Sequence, residues 1–100
     1  MAVKILMTWD IIPGREQEYF EFVVRDFLPA MQRLGLDPTD AWVTLYGNQP
    51  KIMTSAQMAN LGSLQNVLQT TEWNSLVTQL MDFVENYRYK IVPARGGFQL

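Results

Sequence analysis

The sequence contains no histidine and no cysteine. Their absence removes the commonest general base, the serine and cysteine triads that depend on it, most zinc sites and all thiol chemistry. Proton transfer would fall to Asp, Glu, Lys or Tyr. Asp10 closes a strand-like run and could stand at a cavity mouth, where desolvation would raise its pKa and make it a base. The plainer reading is a solvated residue or a helix cap. Glu16, Glu18 and Glu21 could be drawn as a metal cluster. Their spacing suits a solvated helix face better, because no fixed second set of ligands accompanies them. Asp82 and Glu85 read the same way. Gly14 has no glycine-rich or P-loop context, so no nucleotide cradle is read.

Binding chemistry is better supplied. Trp42, Thr44 and Tyr46 recur at every second position, which places them on one face of a strand. They could wall a pocket that stacks a planar ligand, with Thr44 and Tyr46 offering hydrogen bonds, or they could pack against a second subunit. Arg88 and Lys90 end near the same region. They would attract an anionic or enolic ligand, or balance carboxylates across an interface. With Thr8 and Met53 added, the expected ligand-binding set is Thr8, Trp42, Thr44, Tyr46, Met53 and Lys90. No catalytic residue is assigned, and no metal or cofactor is expected. Trp9 and Trp73 read as core anchors. Met7, Met31, Met53, Met58 and Met81 lie within elements, where flexible thioethers fill core gaps or line an adaptable pocket; core filling is the plainer reading.

The elements that must position these residues follow from periodicity. Val3 to Trp9 alternates as a strand, with Val3, Ile5, Met7 and Trp9 on one face and Lys4, Leu6, Thr8 and Asp10 on the other. Ile11-Ile12-Pro13-Gly14 breaks it. Arg15 to Leu34 is helical, with an expected apolar stripe of Phe20, Val23, Val24, Phe27, Met31 and Leu34. Glu16 and Glu18 suit its first turn, and Glu21 with Arg25 forms a favourable i,i+4 pair. Pro29 should kink or split it near Arg25 to Leu28, and Gly35 should cap it. Leu36 to Asp40 reads as a loop. Ala41–Tyr46 and Lys51–Met58 read as a hairpin around Gly47 to Pro50. Asn60 can cap a short helix carrying Leu61, Leu64, Val67 and Leu68. Thr70 or Thr71 can cap another with Trp73, Leu76, Val77, Leu80 and Val84 on its stripe. Tyr87 to Val92 is the last strand. Residues 93–100 are expected as an extended tail lying on another surface, that of a partner included.

This order predicts an α+β, ferredoxin-like β-α-β-β-α-β fold: a four-stranded antiparallel sheet with helices on one face only. Residues 1–100 are expected to form a single domain. Alternation assigns Val3, Ile5, Met7, Val43, Leu45, Ile52, Ala56, Tyr89 and Ile91 to the helix face. The opposite face would carry Lys4, Leu6, Thr8, Trp42, Thr44, Tyr46, Met53, Ser55, Arg88 and Lys90, a mixed set in which Leu6, Trp42, Tyr46 and Met53 are too large and apolar to leave in water. With 48% hydrophobic and 18% charged residues, the chain is expected to have an interface. Its formal charge of −2 provides no footprint for nucleic acid or anionic lipid. No apolar run is long enough to span a membrane. The first residues lack the pattern of a signal peptide, so the cytoplasm is the expected location.

Pro13-Gly14-Arg15-Glu16 after a first strand, with Glu18-Tyr19-Phe20 opening a long helix and Glu72-Trp73 opening a late one, resembles the dimeric α+β barrel superfamily. Its antibiotic-biosynthesis-monooxygenase, EthD and NIPSNAP types share this layout. The resemblance covers the whole chain in layout. It implies a homodimer in which two four-stranded sheets close one barrel. It also implies activities that range from cofactor-free oxygenation of aromatic polyketides to lactone isomerisation. Haem degradation in these proteins relies on a histidine ligand, which this chain lacks. Three readings follow. One is a homodimer that binds a small apolar or aromatic molecule in a barrel cavity without strong catalytic machinery. Another is a cofactor-independent oxygenase or isomerase acting on a small aromatic or polyketide-like substrate through deprotonation in a desolvated cavity. The third is a structural module that buries the open face without a cavity.

Overall fold

Strict alternation over nine residues builds the first strand, β1 (Val3–Ile11), which buries Val3, Ile5, Met7, Trp9 and Ile11 and leaves the residues between them half-covered. In this computed structural model the described residues are 1–46 and 49–94, without the side chains of residues 42–50. β1 lies inside a four-stranded sheet of order β2-β3-β1-β4, in which every neighbouring pair is antiparallel. The outer strands are β2 (Asp37–Tyr46) and β4 (Val84–Pro93), and β3 (Gln49–Met58) pairs with β1 without interruption from Val3↔Met58 to Asp10↔Lys51. Helices cover one face of this sheet, the ferredoxin-like α+β arrangement that the element order predicts.

The long helix starts after a Pro13-Gly14 turn. Gly14 has φ +88°, and its N–H donates to both carboxylate oxygens of Glu16 (3.0 and 2.9 Å). Helix α1 (Glu16–Phe22) runs into a π-helical segment (Val23–Phe27), and α2 (Leu28–Arg33) follows. The expected kink near Arg25 to Leu28 therefore takes the form of a widened turn. Pro29 cannot donate to the carbonyl four residues back and its ring crowds that carbonyl, and a π-turn absorbs the mismatch. The wide turn also corrects the expected stripe. Phe22 and Phe27, five positions apart, both face the core, with Tyr19, Ala30 and Met31. Phe20 and Val24 instead stand out in water, 50% and 71% exposed. Glu21 does not pair with Arg25 but accepts a hydrogen bond from Gln17 at 3.4 Å.

Gly35 ends the helix at φ +87°. The Leu36 N–H reaches the Met31 carbonyl and the Gly35 N–H the Gln32 carbonyl, with Leu36 and Met31 both buried. This is a Schellman motif with its apolar clasp. The two later helices use the caps expected of them. Asn60 Oδ1 accepts from the Ser63 N–H at 2.8 Å to start α3 (Leu61–Leu68), and Thr70 Oγ1 from the Trp73 N–H at 3.1 Å to start α4 (Thr71–Leu80). Leu64, Val67, Trp73, Leu76 and Leu80 point into the core, whereas Leu61 at the first turn of α3 is exposed.

Three strands begin earlier than alternation suggests: β3 at Gln49 rather than Lys51, so that Gln49 and Pro50 pair in the strand instead of forming the turn, and β2 and β4 because each contains a bulge. Leu36 to Asp40 is not a loop: β2 starts at Asp37, with its register shifting between Pro38↔Ala56 and Asp40↔Ser55 so that Thr39 is the extra residue. Pro38 is tolerated there because β2 is an edge strand. β4 starts at Val84 rather than Tyr87, and the last residue of the α4 stripe, Val84, belongs to it. Between Thr8↔Arg88 and Asp10↔Glu85 the strand carries one extra residue, and Asn86 adopts φ 59°. Pro93 still pairs with Val3, and the Ala94 N–H donates to the Ala2 carbonyl at 2.9 Å. The expected tail beyond Ala94 falls outside the described residues.

The core centres on Trp9, 1% exposed. Its indole N–H donates to the Tyr19 hydroxyl at 3.0 Å, Phe27 meets it edge-on, and Tyr87 stacks on it at 6.0 Å with 21° between the ring planes. Phe27 in turn packs on Trp73 at 6.2 Å, so both expected tryptophan anchors serve as core.

Candidate functional site

Alternation leaves one sheet face without a helix, and the strand register arranges its residues in rows. Thr8 stands between Met53 on β3 and Arg88 on β4, and Leu6 between Ser55 and Lys90. Asp10 stands opposite Lys51. Directly opposed residues in such rows have Cβ atoms about 5 Å apart. The rows continue on β2: position 42 pairs with Met53, position 44 with Lys51 and position 46 with Gln49. Register therefore brings Thr8, Met53 and Trp42 into a single row. Lys90 lies in the next row with Leu6, Thr44 in the row of Asp10, and Tyr46 at the hairpin end. The side chains of Trp42, Thr44 and Tyr46 lie outside the described residues.

Met53 is 39% exposed, while Leu6 and Thr8 are half-buried. Ser55, on the same face, is 1% exposed. The β2 bulge explains this. It turns Thr39 and Asp40 together onto Ser55, so the Thr39 and Ser55 hydroxyls lie 2.7 Å apart and the Ser55 hydroxyl donates to Asp40 Oδ2 at 3.4 Å. Lys4 reaches the same carboxylate at 3.9 Å. Sequence periodicity misses this cluster, because nothing in the alternation marks Thr39 as the extra residue.

Asp10 is no activated base. Asn86 Nδ2 donates to it at 2.8 Å, and this bond lowers its pKa most. Partial burial opposes the shift, and the Lys51 ammonium at 3.3 Å adds to the lowering. The carboxyl stays below its ordinary range, ionised and weakly basic, the opposite of what proton abstraction requires. The groups whose pKa rises, Tyr19 and Tyr87, each pushed up to about 12 chiefly by burial, flank Trp9 on the helix face.

The face holds four cations among the described residues. Lys4 and Lys51 are paired with Asp40 and Asp10. Arg88 and Lys90 are exposed and have no carboxylate within ion-pair reach among the described residues. The other candidate acids are engaged elsewhere: Glu16 with the Gly14 N–H, Glu18 with Arg15, Glu21 with Gln17. Among the described residues, no three Asp or Glu side chains converge as a metal site.

On the outer side of the helices, two shallow grooves of about 280 and 340 Å³ run between the long helix and α4. Arg25, Asp26 and Gln79 line both. Arg33, at one end, is committed to Glu72 at 3.2 Å. Ala30 and Leu76 line one and Phe22 and Phe83 the other, but charged and amide side chains make up most of both linings, unlike the apolar enclosure that small-molecule sites use.

No protein-family model matches the chain, and no curated protein matches it. Its likeness is to solved structures. A NIPSNAP family protein of Agrobacterium tumefaciens superposes with a TM-score of 0.74 at 15% identity, covering 95% of this chain and 87% of that one. An EthD family protein of Bacillus halodurans superposes with a TM-score of 0.67 at 21% identity, covering 95% and 100%. An antibiotic-biosynthesis-monooxygenase-type protein of Nitrosomonas europaea does so with a TM-score of 0.65 at 6% identity, covering 93% and 89%. At these identities the likeness defines the fold and leaves the activity to the site. The chain has the fold shared by NIPSNAP, EthD and antibiotic-biosynthesis-monooxygenase-type proteins.

Proposed function

We propose that this chain acts in the cytoplasm as a homodimer whose two uncovered sheet faces close over a small apolar or aromatic ligand, which it binds without strong catalytic machinery. The observation that carries this reading is the asymmetry of β1. One face of the strand is buried to 0% exposure at Ile5, Met7 and Ile11. The other holds Leu6 and Thr8 beside a 39% exposed Met53, with no helix over them. An apolar centre rimmed by Lys4, Asp10, Lys51 and Asp40 has the make-up of an interface: a dry middle and a polar edge. The register that gathers Thr8, Met53, Trp42, Thr44 and Lys90 on this face supports placing the ligand between the sheets. The oxygenase or isomerase reading draws no support from Asp10, whose lowered pKa makes it a poor base.

Native mass spectrometry of freshly purified protein, paired with sedimentation at micromolar concentration, tests the reading. The expected result is a two-chain mass that carries a small-molecule adduct and releases it on denaturation. A monomer throughout the micromolar range would overturn it.

A further inference from the structure

We infer that the ligand of the open sheet face is an organic anion, an apolar body bearing one acidic group, with the acid held by Arg88 and Lys90. This rests on the proposed closure of that face and names the chemistry of what it encloses. Four observations carry it. Each of the other cations on the face already has a carboxylate, Lys4 at 3.9 Å and Lys51 at 3.3 Å. Arg88 and Lys90 have none among the described residues. Two residues apart on β4, the two cations stand on one face at the sheet edge. Their cross-strand neighbours are Thr8, a hydroxyl donor, and Leu6, an apolar surface that continues to Met53. Charge, hydroxyl and grease therefore follow one another across the sheet in the order that an amphiphilic acid would read them.

The geometry also argues against a neutral ligand. Where the proposed closure covers the β4 edge, these two unpaired cations are costly to enclose unless an opposite charge comes with them. A guanidinium beside an ammonium suits a carboxylate, an enolate or a sulfonate, the first offering a bidentate, charge-assisted contact. The whole chain is net negative, so a preference for anions would have to come from this local pair and not from the overall field.

Two fluorescent probes of matched shape and opposite character separate the possibilities: anilinonaphthalene sulfonate, an apolar anion, and its neutral relative phenylnaphthylamine. Each is titrated against the wild-type protein, the Arg88→Gln/Lys90→Gln variant and an Arg25→Gln/Arg33→Gln variant. The last loses the same net charge from the helix layer. The expected result is that the anion binds the wild type more tightly than the neutral probe. It should weaken by about tenfold or more in the Arg88/Lys90 variant, as loss of a charge-assisted contact predicts, and remain unchanged in the Arg25/Arg33 variant. Equal binding of the two probes, or an unchanged anion affinity in the Arg88/Lys90 variant, would overturn the inference. Sedimentation of the same samples separates the two levels. A wild type that is monomeric refutes the closure itself. A wild-type dimer that falls apart in the Arg88/Lys90 variant assigns the cations to the subunit interface and overturns the anion inference alone.

Discussion

Replacing Tyr19 with Phe removes a single oxygen from a fully enclosed polar contact in the core. The Trp9 indole N–H donates to that oxygen at 3.0 Å, and the two residues are 1% and 3% exposed. After the substitution the N–H has no partner and water has little access to it. An unsatisfied buried donor costs about 1–3 kcal/mol. A loss near 2 kcal/mol in a chain of this size lowers Tm by about 8–16 °C. Urea unfolding at fixed protein concentration should show a lower midpoint at constant m, because the fold is otherwise unchanged. The same variant has a second signature in alkali. Tyr19 and Tyr87 titrate near 12 when folded against an ordinary value of 10. The neutral phenols therefore contribute stability in full below pH 10 that is lost as pH rises from 10 towards 12. Each such tyrosine adds a falling slope of up to about 1.4 kcal/mol per pH unit in that window. Tyr19→Phe should remove one slope and leave that of Tyr87. A variant within about 0.5 kcal/mol of wild type, a difference ordinary for surface substitutions, would refute the reasoning, as would an unaltered alkaline limb.

Asp10 has a folded pKa below its unfolded value, so its contribution is present above the unfolded pKa and is lost as pH falls through the folded one. Asp10→Asn should flatten the acid limb of a stability-versus-pH curve, and a limb identical to wild type counts against the Asn86 and Lys51 contacts. Gly35→Ala and Gly14→Ala should each cost about 1 kcal/mol in thermal unfolding, because both positions have φ near +88°, where an L side chain is strained. A Cβ on Gly14 meets nothing within 4 Å, and one on Gly35 meets only the terminal methyl of Met58 at 3.4 Å, ordinary contact with a flexible side chain. A loss at Gly35 several times that at Gly14 would count against this account.

Periodicity reads most clearly where the chain keeps a constant repeat. β1 and β3 pair through eight consecutive positions without a shift, so Leu6, Thr8, Met53 and Ser55 can be assigned to the open face from alternation alone. The caps are legible for a different reason: Asn60, Thr70 and Gly35 are residue types whose local chemistry dictates their place. What alternation cannot show is an inserted residue. The π-turn before Pro29 moves the buried stripe from Phe20 and Val24 to Tyr19 and Phe22, and no count at 3.6 residues per turn anticipates that. The extra residue at Thr39 likewise hides both the start of β2 and the hydroxyl cluster on Ser55. The Trp9–Tyr19 bond joins a strand to a helix ten residues on, a contact that only the folded helix brings about.

The bulge at Asn86 sets the parity of the last strand. Past it, Tyr87 falls on the helix side to stack against Trp9, while Arg88 falls on the open side beside Thr8. Side chains alternate with a period of two, so the extra residue is what lets Val84 before it and Tyr87 after it share the helix side. Removing Asn86 alone would leave Glu85 opposite Asp10 and Arg88 opposite Thr8 in one continuous register, with Tyr87 opposite Trp9. The faces would be kept, and the loss would be the Asn86 contact to the Asp10 carboxylate. Inserting a residue elsewhere in the strand would instead exchange the two faces beyond it, and a related chain that lacks the bulge should also lack one residue between Val84 and Tyr87.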